Sequence, residues 1–335
     1  IKYIVLGLFC CLSLSSQAHS YREHSVLQTG RWVKVSVQES GVYKLSDSDL
    51  RTMGLNPDSV RIYGYGGAQL TQNFRRKKID DLPVVPFYRG NGYILFYAQG
   101  VTDWAFNGAT FSHTFNTYST KGYYFLTDNT GEQRLLTALH STTGGTYTEV
   151  RTYHEYLVHE QDLRTLFDPD EGIEGGGQSF YGEKLNSGTP SITIPMTLSH
   201  TPVTGEKLLI HAEVAGYSTE QCQFTLSANG SSATCYTVAY SDFYTKGTTG
   251  RINAEFNAAN APTQNIKLAF TAGTDAANGY LDYIELTAIV PLTMTGSSMG
   301  VRTTTGYVDG GWGDSLRYHL AGTSSETLIR DITDH

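Results

Sequence analysis

Four carboxylates lie within seven residues near the middle of the chain, at Asp168, Asp170, Glu171 and Glu174. Carboxylate oxygens are the ligands that Ca²⁺ prefers in proteins. Their spacing does not match the loop of a helix-loop-helix calcium site, and a run of like charges is typical of a solvated turn. Two interpretations stay open, a weak calcium site and a solvated acidic turn, and the sequence indicates no other cofactor.

Two cysteines, Cys222 and Cys235, flank Asn229-Gly230, the dipeptide most typical of a tight β-hairpin turn. An oxidising compartment would permit a disulfide across such a hairpin, but the spacing does not place the two cysteines directly opposite each other. A cross-strand disulfide and two buried free thiols are therefore both open. Neither cysteine has a His nearby in the sequence, so a catalytic thiolate is not indicated.

A serine-hydrolase pattern, G-x-S-x-G, occurs at residues 296–300, and Asp309 or Asp314 and then His319 follow in hydrolase order. A nucleophile elbow needs a helix after the Ser, whereas residues 301–305 are β-prone, so we expect no catalytic triad here. The ten histidines include no pair spaced i, i+4 beside a carboxylate, which argues against zinc. The net charge of -8 argues against a nucleic-acid partner.

The first residues are typical of a secretory signal peptide. Lys2 precedes an apolar run from Tyr3 to Leu14, and the small-residue site Ser16-Gln17-Ala18 follows. The run is too short to span a bilayer. We expect residues 1–18 to be removed after Ala18, the chain to be clipped before Ile1, and the mature protein to carry no transmembrane helix.

Residues 19–150 predict an N-terminal β domain with one short helix. The helix is predicted after Ser46, which forms a capping pair with Asp49. Two apolar runs, at residues 93–97 and 123–126, predict strands buried on both faces, and we interpret them as the core hairpin of the domain. They are joined by a connection rich in aromatic residues, namely Trp104, Phe106, Phe111, His113, Phe115 and Tyr118.

The remaining chain divides into three predicted segments. Residues 151–185 are predicted to be a helical or extended linker that carries the acidic, Gly-rich loop. Residues 186–292 contain five runs in which apolar residues alternate, which predicts a jelly-roll-like β-sandwich. The last of these runs places Leu281, Tyr283 and Glu285 on one face. Residues 293–335 are predicted to lead into a further domain that is truncated. The predicted fold class is therefore mainly β.

A series of short motifs resembles one family in order along the mature chain. The motifs in the first domain surround Tyr63, Tyr97, His113 and Tyr118, and the most specific one in the second domain is Gly279-Tyr280-Leu281-Asp282-Tyr283-Ile284-Glu285-Leu286. Residues 330–334 resemble the strand ahead of the family's catalytic domain. The family is that of the PorU-type sortases of the type IX secretion system of Bacteroidetes, which are gingipain-like cysteine peptidases.

The resemblance implies that the intact protein is a cell-surface cysteine endopeptidase at the outer membrane. Such a protein removes the C-terminal sorting domains of secreted cargo and attaches the cargo to anionic lipopolysaccharide. No residue of this chain matches the family's catalytic Cys or His, so none is assigned a catalytic role. Asp282, Tyr283 and the motif residues of the first domain are expected to be structural, with His113 a core or edge histidine.

Three functions follow as hypotheses for this portion, and one of them is an inhibitory prosegment of the protease. The first is a scaffold that holds the catalytic domain and docks on the outer-membrane barrel protein of the type IX system. The second is a secreted carbohydrate-binding surface protein, because β-sandwiches often bind sugars with aromatic side chains at one edge.

Overall fold

The protein is mainly β in the computed structural model, as the sequence predicts. The structure describes residues 21–73, 75–76, 78–106, 110–137, 145–166, 179–240, 247–302, 304, 307–308, 311–312 and 315–332. The predicted signal peptide and the acidic loop with Asp168, Asp170, Glu171 and Glu174 lie outside these residues. No helix within the described ranges has the length and apolar character that crossing a membrane requires.

The N-terminal domain is a sandwich of two three-stranded antiparallel sheets with an additional hairpin. One sheet has the order β1-β8-β3, the other has the order β2-β5-β4, and β6 pairs with β7. The strands are β1 (Val33–Val37), β2 (Gly41–Ser46), β3 (Arg61–Gly66), β4 (Phe87–Gly90), β5 (Tyr93–Ala98), β6 (Thr102–Phe106), β7 (Phe111–Phe115) and β8 (Gly122–Thr127).

The predicted short helix is confirmed as α1 (Asp47–Thr52). Its capping box is complete, because the Ser46 hydroxyl accepts from the Asp49 backbone N–H at 3.0 Å and the Asp49 carboxylate accepts from the Ser46 N–H at 2.9 Å. Leu50 projects from this helix into the core and is fully buried. Two short 3₁₀ turns, Val26–Gln28 and Pro57–Ser59, complete the helical structure of the described residues.

The predicted hairpin of residues 93–97 and 123–126 is wrong. β5 pairs with β2 and β4, whereas β8 pairs with β1 and β3, so the two runs belong to opposite sheets. They meet across the core, where the rings of Phe96 and Tyr124 lie 5.7 Å apart edge to face. In β5 every second residue is buried because one face of the sandwich sheet points away from the core. The connection between the two runs forms the β6–β7 hairpin itself.

Gly64 and Gly66 lie inside β3, although a cluster of glycines usually indicates a turn. Gly64 and Gly66 have φ angles of +143° and +92°, and the register of β3 against β8 shifts between Tyr63 and Gly66. The shift brings Gly67 against Gly122, so a Cβ atom on Gly122 would lie 2.6 Å from the Cα atom of Gly67. Only Gly leaves room for this contact between the two backbones.

Gly122→Ala is therefore expected to destabilise the N-terminal domain by about 1–3 kcal/mol, because the new methyl group must displace backbone atoms. Urea unfolding followed by circular dichroism measures the change. Gly41→Ala is the matched control, since a Cβ on Gly41 has no atom within 4 Å. Equal stability of the two variants would contradict the close contact.

The second domain is a sandwich of a five-stranded and a four-stranded sheet. The larger sheet has the order β10-β18-β13-β16, with β11 also paired to β18, and the smaller one has the order β12-β17-β14-β15. These strands are β10 (Thr152–Glu160), β11 (Lys184–Leu185), β12 (Ser191–Thr197), β13 (Lys207–Tyr217), β14 (Cys222–Ala228), β15 (Ser231–Thr237), β16 (Thr248–Asn257), β17 (Thr263–Ala272) and β18 (Asn278–Pro291).

The predicted linker supplies a strand to this domain. β10, at the start of residues 151–185, pairs with β18 along its whole length, from Thr152 opposite Pro291 to Glu160 opposite Tyr283. The apolar residues of β10 are only loosely periodic because its outward face is covered by the first domain, so both of its faces are partly buried. The second sandwich therefore begins near residue 150.

A β-bulge in β18 overturns the predicted alternation of Leu281, Tyr283 and Glu285. The register against β13 shifts between Glu213 and Val214, which lie opposite Tyr283 and Leu281, so Asp282 is the extra residue. Leu281 is fully buried in the sandwich core, as are Ile284 and Leu286. Tyr283 and Glu285 project from the opposite face, because an inserted residue reverses the alternation of a strand.

The predicted Asn229-Gly230 hairpin is confirmed between β14 and β15, with positive φ angles of 48° and 80° at the two turn residues. Cys222 lies opposite Thr237 and Cys235 lies opposite Phe224, so the cysteines are two positions out of register. Both are free thiols in this structure, with Cys222 buried and Cys235 half-buried, and burial raises the pKa of Cys235 to about 11.

The C-terminal residues pack against the second sandwich. β9 (Thr148–Val150) and β21 (Leu316–Tyr318) form a parallel pair, and two short strands, β19 (Tyr307–Val308) and β20 (Gly311–Trp312), form an antiparallel pair. Met299, Val301, Leu316 and Leu320 contact the core of the domain. Residues 330–332 are irregular and not the strand that the motif resemblance predicts, and residues 333–335 lie outside the described ranges.

Candidate functional site

The β6–β7 hairpin of the first domain lies on the outward face of the larger sheet of the second. Trp104 and His113 are direct cross-strand partners in the hairpin. The Trp104 ring lies 4.5 Å from the ring of Tyr156 on β10, and the Phe111 ring stacks on the same Tyr156 at 4.8 Å. These aromatic contacts join the two domains and exclude water from the polar groups beside them.

His113 inserts between two carboxylates of the second domain. Its Nε2 atom lies 2.6 Å from Glu160 Oε2, and its Nδ1 atom lies 2.5 Å from Glu285 Oε1. The His113 backbone N–H donates to the same Glu285 oxygen at 2.6 Å. The side chains of His113 and Glu285 are each only 4% exposed. We call His113, Glu160, His211, Tyr283 and Glu285 the interdomain cluster.

The sheet itself places the other members of the interdomain cluster. On β13 and β18, His211 lies directly opposite Glu285, and its Nδ1 atom is 2.9 Å from Glu285 Oε2. The Tyr283 ring contacts both imidazoles edge to face, at 4.7 Å from His113 and 5.4 Å from His211. The Tyr283 hydroxyl donates to the Glu213 carboxylate at 3.0 Å. Every polar atom of Glu285 is thereby engaged.

The charges of the cluster are mutually stabilised. Burial alone would lower the pKa of His113, but hydrogen bonds with Glu160 and Glu285 outweigh it and raise the pKa to about 9. Burial alone would raise the pKa of Glu285, but hydrogen bonds from His113 and His211 lower it to about 2. His113 is therefore an imidazolium at neutral pH, and the Glu285 carboxylate that accepts from it bears negative charge.

A neighbouring carboxylate, Asp282, titrates near neutrality. Burial raises its pKa to about 7, together with the nearby charges of Glu160, Glu213 and Asp162. Asp282 is the extra residue of the bulge in β18, and it lies close enough to the cluster for the charges of Glu160 and His113 to affect its pKa. Asp282 and Tyr283, which the motif resemblance singles out, thus both border the interface.

The arrangement is suited to holding two domains together. Both ring nitrogens of His113 are bonded to carboxylates, so neither is available to bind a metal or to accept a proton from a substrate. Among the described residues no group of three or more His, Cys, Asp or Glu side chains is placed to hold a metal ion. A buried, fully hydrogen-bonded ion pair fixes the relative position of the surfaces that carry it.

The other residues singled out from the sequence lie apart from this interface or at its margin. Tyr63 is buried in the first domain, where its hydroxyl accepts from the Glu132 N–H at 2.5 Å. Tyr97 is half-buried on β5, and burial raises its pKa. Tyr118 is 65% exposed and accepts from Gln72 Nε2 at 2.9 Å, so it is not a packing residue of the core. His319 contacts the Glu149 carboxylate.

Sequence reasoning assigned no role to Glu160, His211 or Glu285. Glu285 could have been singled out from the sequence, because it stands between the apolar residues Ile284 and Leu286 and an unpaired buried carboxylate would be unfavourable. His113 was expected to be a structural core or edge histidine. The structure gives it a buried position with partners in the other domain.

The fold and the interdomain cluster define a protein of two β-sandwich domains joined through a buried ion pair. A solved structure that is similar to it is that of dimeric latent PorU from Porphyromonas gingivalis, with a TM-score of 0.76 and 28% sequence identity. The similarity covers 90% of this chain and 28% of that chain, so this chain spans less than a third of the length of PorU. This structural similarity confirms the motif resemblance to PorU-type proteins.

Other solved structures share much less with the chain. A carbohydrate-binding module, CBM36, solved with calcium and xylotriose, has a TM-score of 0.24 and 16% identity over 43% of this chain. A CBM36-1 domain of a xylanase from the hindgut metagenome of Trinervitermes trinervoides has a TM-score of 0.25 and 12% identity over 39% of it. No protein-family profile matches the sequence, and no curated protein matches it.

Proposed function

We propose that this chain is the N-terminal, non-catalytic portion of a type IX secretion sortase at the cell surface. In this proposal the intact protein is a cysteine endopeptidase that cleaves the C-terminal sorting domains of cargo and attaches the cargo to anionic lipopolysaccharide. The observation that carries the proposal is the similarity to PorU over 90% of the chain. A thiolate outside this chain would attack the scissile peptide bond and form an acyl-enzyme, which an amine or water would resolve.

The role proposed for this portion is to hold the catalytic domain and to dock on the outer-membrane barrel protein. The interdomain cluster supports it, because a buried ion pair and stacked aromatic rings give the two sandwiches one relative orientation. The packing of Met299, Val301, Leu316 and Leu320 on the second sandwich also fixes the path of the chain toward its C-terminus. A rigid support of this kind positions an attached domain without taking part in chemistry.

The docking role is tested with the intact protein in cells. We expect His113→Ala combined with Glu285→Ala to reduce the amount of processed cargo on the cell surface by about tenfold or more, while cleavage of a short peptide by the purified protein changes by less than about twofold. Thr249→Ala, an exposed change on β16, is the control. Normal cargo processing in the double variant would contradict the scaffold role.

Direct binding is measured with the purified barrel protein in detergent. The intact protein is expected to form a complex that is lost when the interdomain cluster is disrupted. If the undisrupted protein does not bind the barrel, docking is excluded even when cargo processing depends on this portion.

A further inference from the structure

A cleft lies beside the β6–β7 hairpin, on the part of the larger sheet that the hairpin leaves uncovered. It has a volume of about 290 Å³ and lies between Phe111 of the hairpin and the outward faces of β13 and β16. His211, Asn253, Glu255 and Thr287 supply its polar lining. This volume is at the small end of the range for pockets that bind small molecules.

The polar groups of the cleft have unused hydrogen-bonding capacity. Within the ranges that the structure describes, Asn253, Glu255 and Thr287 have no side-chain hydrogen bond or ion pair. His211 donates or accepts through Nδ1 at Glu285, and its Nε2 atom is buried without a partner. An unsatisfied buried imidazole nitrogen costs about 1–3 kcal/mol, so its presence beside three other free polar groups points to a ligand.

The charge of the cleft selects the class of ligand. The negative charge of Glu285 is compensated by His113, which leaves Glu255 as the cleft's uncompensated charge within the described residues. An anionic group would be repelled by Glu255 and would leave its carboxylate without a donor. A neutral molecule with several hydroxyl groups satisfies the lining, since hydroxyls donate to the carboxylate and both donate to and accept from the amide.

The apolar walls fit the same class. Leu209, Ala254 and Phe111 line the cleft beside its polar groups. Phe111 is held rigidly by stacking on Tyr156 at 4.8 Å and by contact with Phe106 at 5.0 Å. A sugar ring presents C–H groups and hydroxyls on different sides of one small molecule, so it matches a cleft with apolar and polar walls.

We propose that this cleft binds a neutral hexose or N-acetylhexosamine unit of a glycan. Asn253 and Glu255 bind its hydroxyls from β16, His211 and Thr287 contact it from the floor, and Leu209 and Phe111 contact its C–H groups. The site is separate from the docking role and does not depend on it.

The proposal is tested with the full chain by calorimetry and by saturation-transfer NMR. The probes are glucose, galactose, mannose, N-acetylglucosamine, maltose and cellobiose, each up to about 50 mM. We expect at least one probe to bind with a Kd near or below about 1 mM, and Asn253→Ala and Glu255→Gln each to weaken its binding by about tenfold or more. Thr249→Ala, on the same strand and face but outside the cleft, is expected to change the Kd by less than about twofold.

Three results would overturn the proposal. The first is that none of the six probes binds. The second is that the best probe binds the Asn253 and Glu255 variants as tightly as the unmodified protein. The third is binding of methylammonium chloride with no binding of sugars, which would assign the cleft to a cation. Both substituted residues are exposed, and unchanged tryptophan fluorescence shows that each variant is folded.

Discussion

Glu285→Ala is expected to lower the free energy of unfolding by about 3–5 kcal/mol, because it removes one partner of a buried ion pair. The Glu285 carboxylate is 4% exposed and accepts from the ring and the backbone of His113 and from the ring of His211. After the substitution His113 keeps only Glu160, and His211 loses its partner. Both effects destabilise the interface between the domains.

The measurement is denaturant unfolding followed by tryptophan fluorescence, since the Trp104 ring lies at the interface, 4.5 Å from Tyr156. Glu255→Gln is the control, because Glu255 is exposed on the same sheet face, and it is expected to change stability by less than about 0.5 kcal/mol. A loss for Glu285→Ala as small as that of the control would rule out a structural role for the cluster.

A double-mutant cycle separates the pair from its surroundings. If His113 and Glu285 interact directly, the loss in the double variant His113→Ala with Glu285→Ala is smaller than the sum of the two single losses, by about 0.5–3 kcal/mol. Additive losses would show that each residue acts through other neighbours.

The second large effect is a dependence of stability on pH. The pKa of His113 is raised from 6.5 to about 9, so its contribution is fully present below pH 6.5 and is lost as the pH rises through 9. At 1.36 kcal/mol per pH unit this difference corresponds to about 3 kcal/mol. We therefore expect the free energy of unfolding to fall by about that amount between pH 6.5 and 9.5.

Two carboxylates beside His113 also have shifted pKa values and contribute to the acidic side of the profile. Asp282, with its pKa raised from 3.8 to about 7, contributes stability that is present below pH 3.8 and is lost as the pH rises through 7. Glu285, with its pKa lowered from 4.5 to about 2, contributes stability that is present above pH 4.5 and is lost as the pH falls through 2. For these three groups the expected maximum therefore lies at about pH 4, and stability falls from there as Asp282 and then His113 lose their protons.

The pH profile is recorded by urea unfolding at half-unit steps from pH 4 to 10. His113→Asn is expected to remove most of the alkaline decline, and Asp282→Asn is expected to flatten the profile between pH 4 and 7. An alkaline decline of unchanged size in His113→Asn would assign the titration to other groups, such as the tyrosines.

The local structure of the chain follows closely from its sequence. The capping box at Ser46 and Asp49, the Asn229-Gly230 hairpin and the alternating strands of the second sandwich all depend on residues near one another in the chain. Local interactions of this kind can be predicted from residue type and spacing. They were sufficient to predict the fold class.

The interface did not follow from the sequence, because its contacts join residues that are far apart in the chain. His113 meets Glu160 across 47 positions and Glu285 across 172. The bulge at Asp282 had a similar effect, since a single inserted residue turns Tyr283 and Glu285 to the other face without altering the composition of the strand. The sequence also did not indicate which strands pair with β5 and β8, because that choice depends on packing between the two sheets.

The pairing of β10 with β18 has a consequence for the order of folding. These strands are the first and last long strands of the second sandwich, and β13, which also pairs with β18, comes between them in the chain. During synthesis or export from the N-terminus the sheet cannot close until residue 291 has emerged, so the nucleus of this domain has a high contact order and forms slowly. Until then Trp104, Phe111 and His113 have no surface to cover them. The nascent N-terminal domain is therefore the stage most exposed to aggregation.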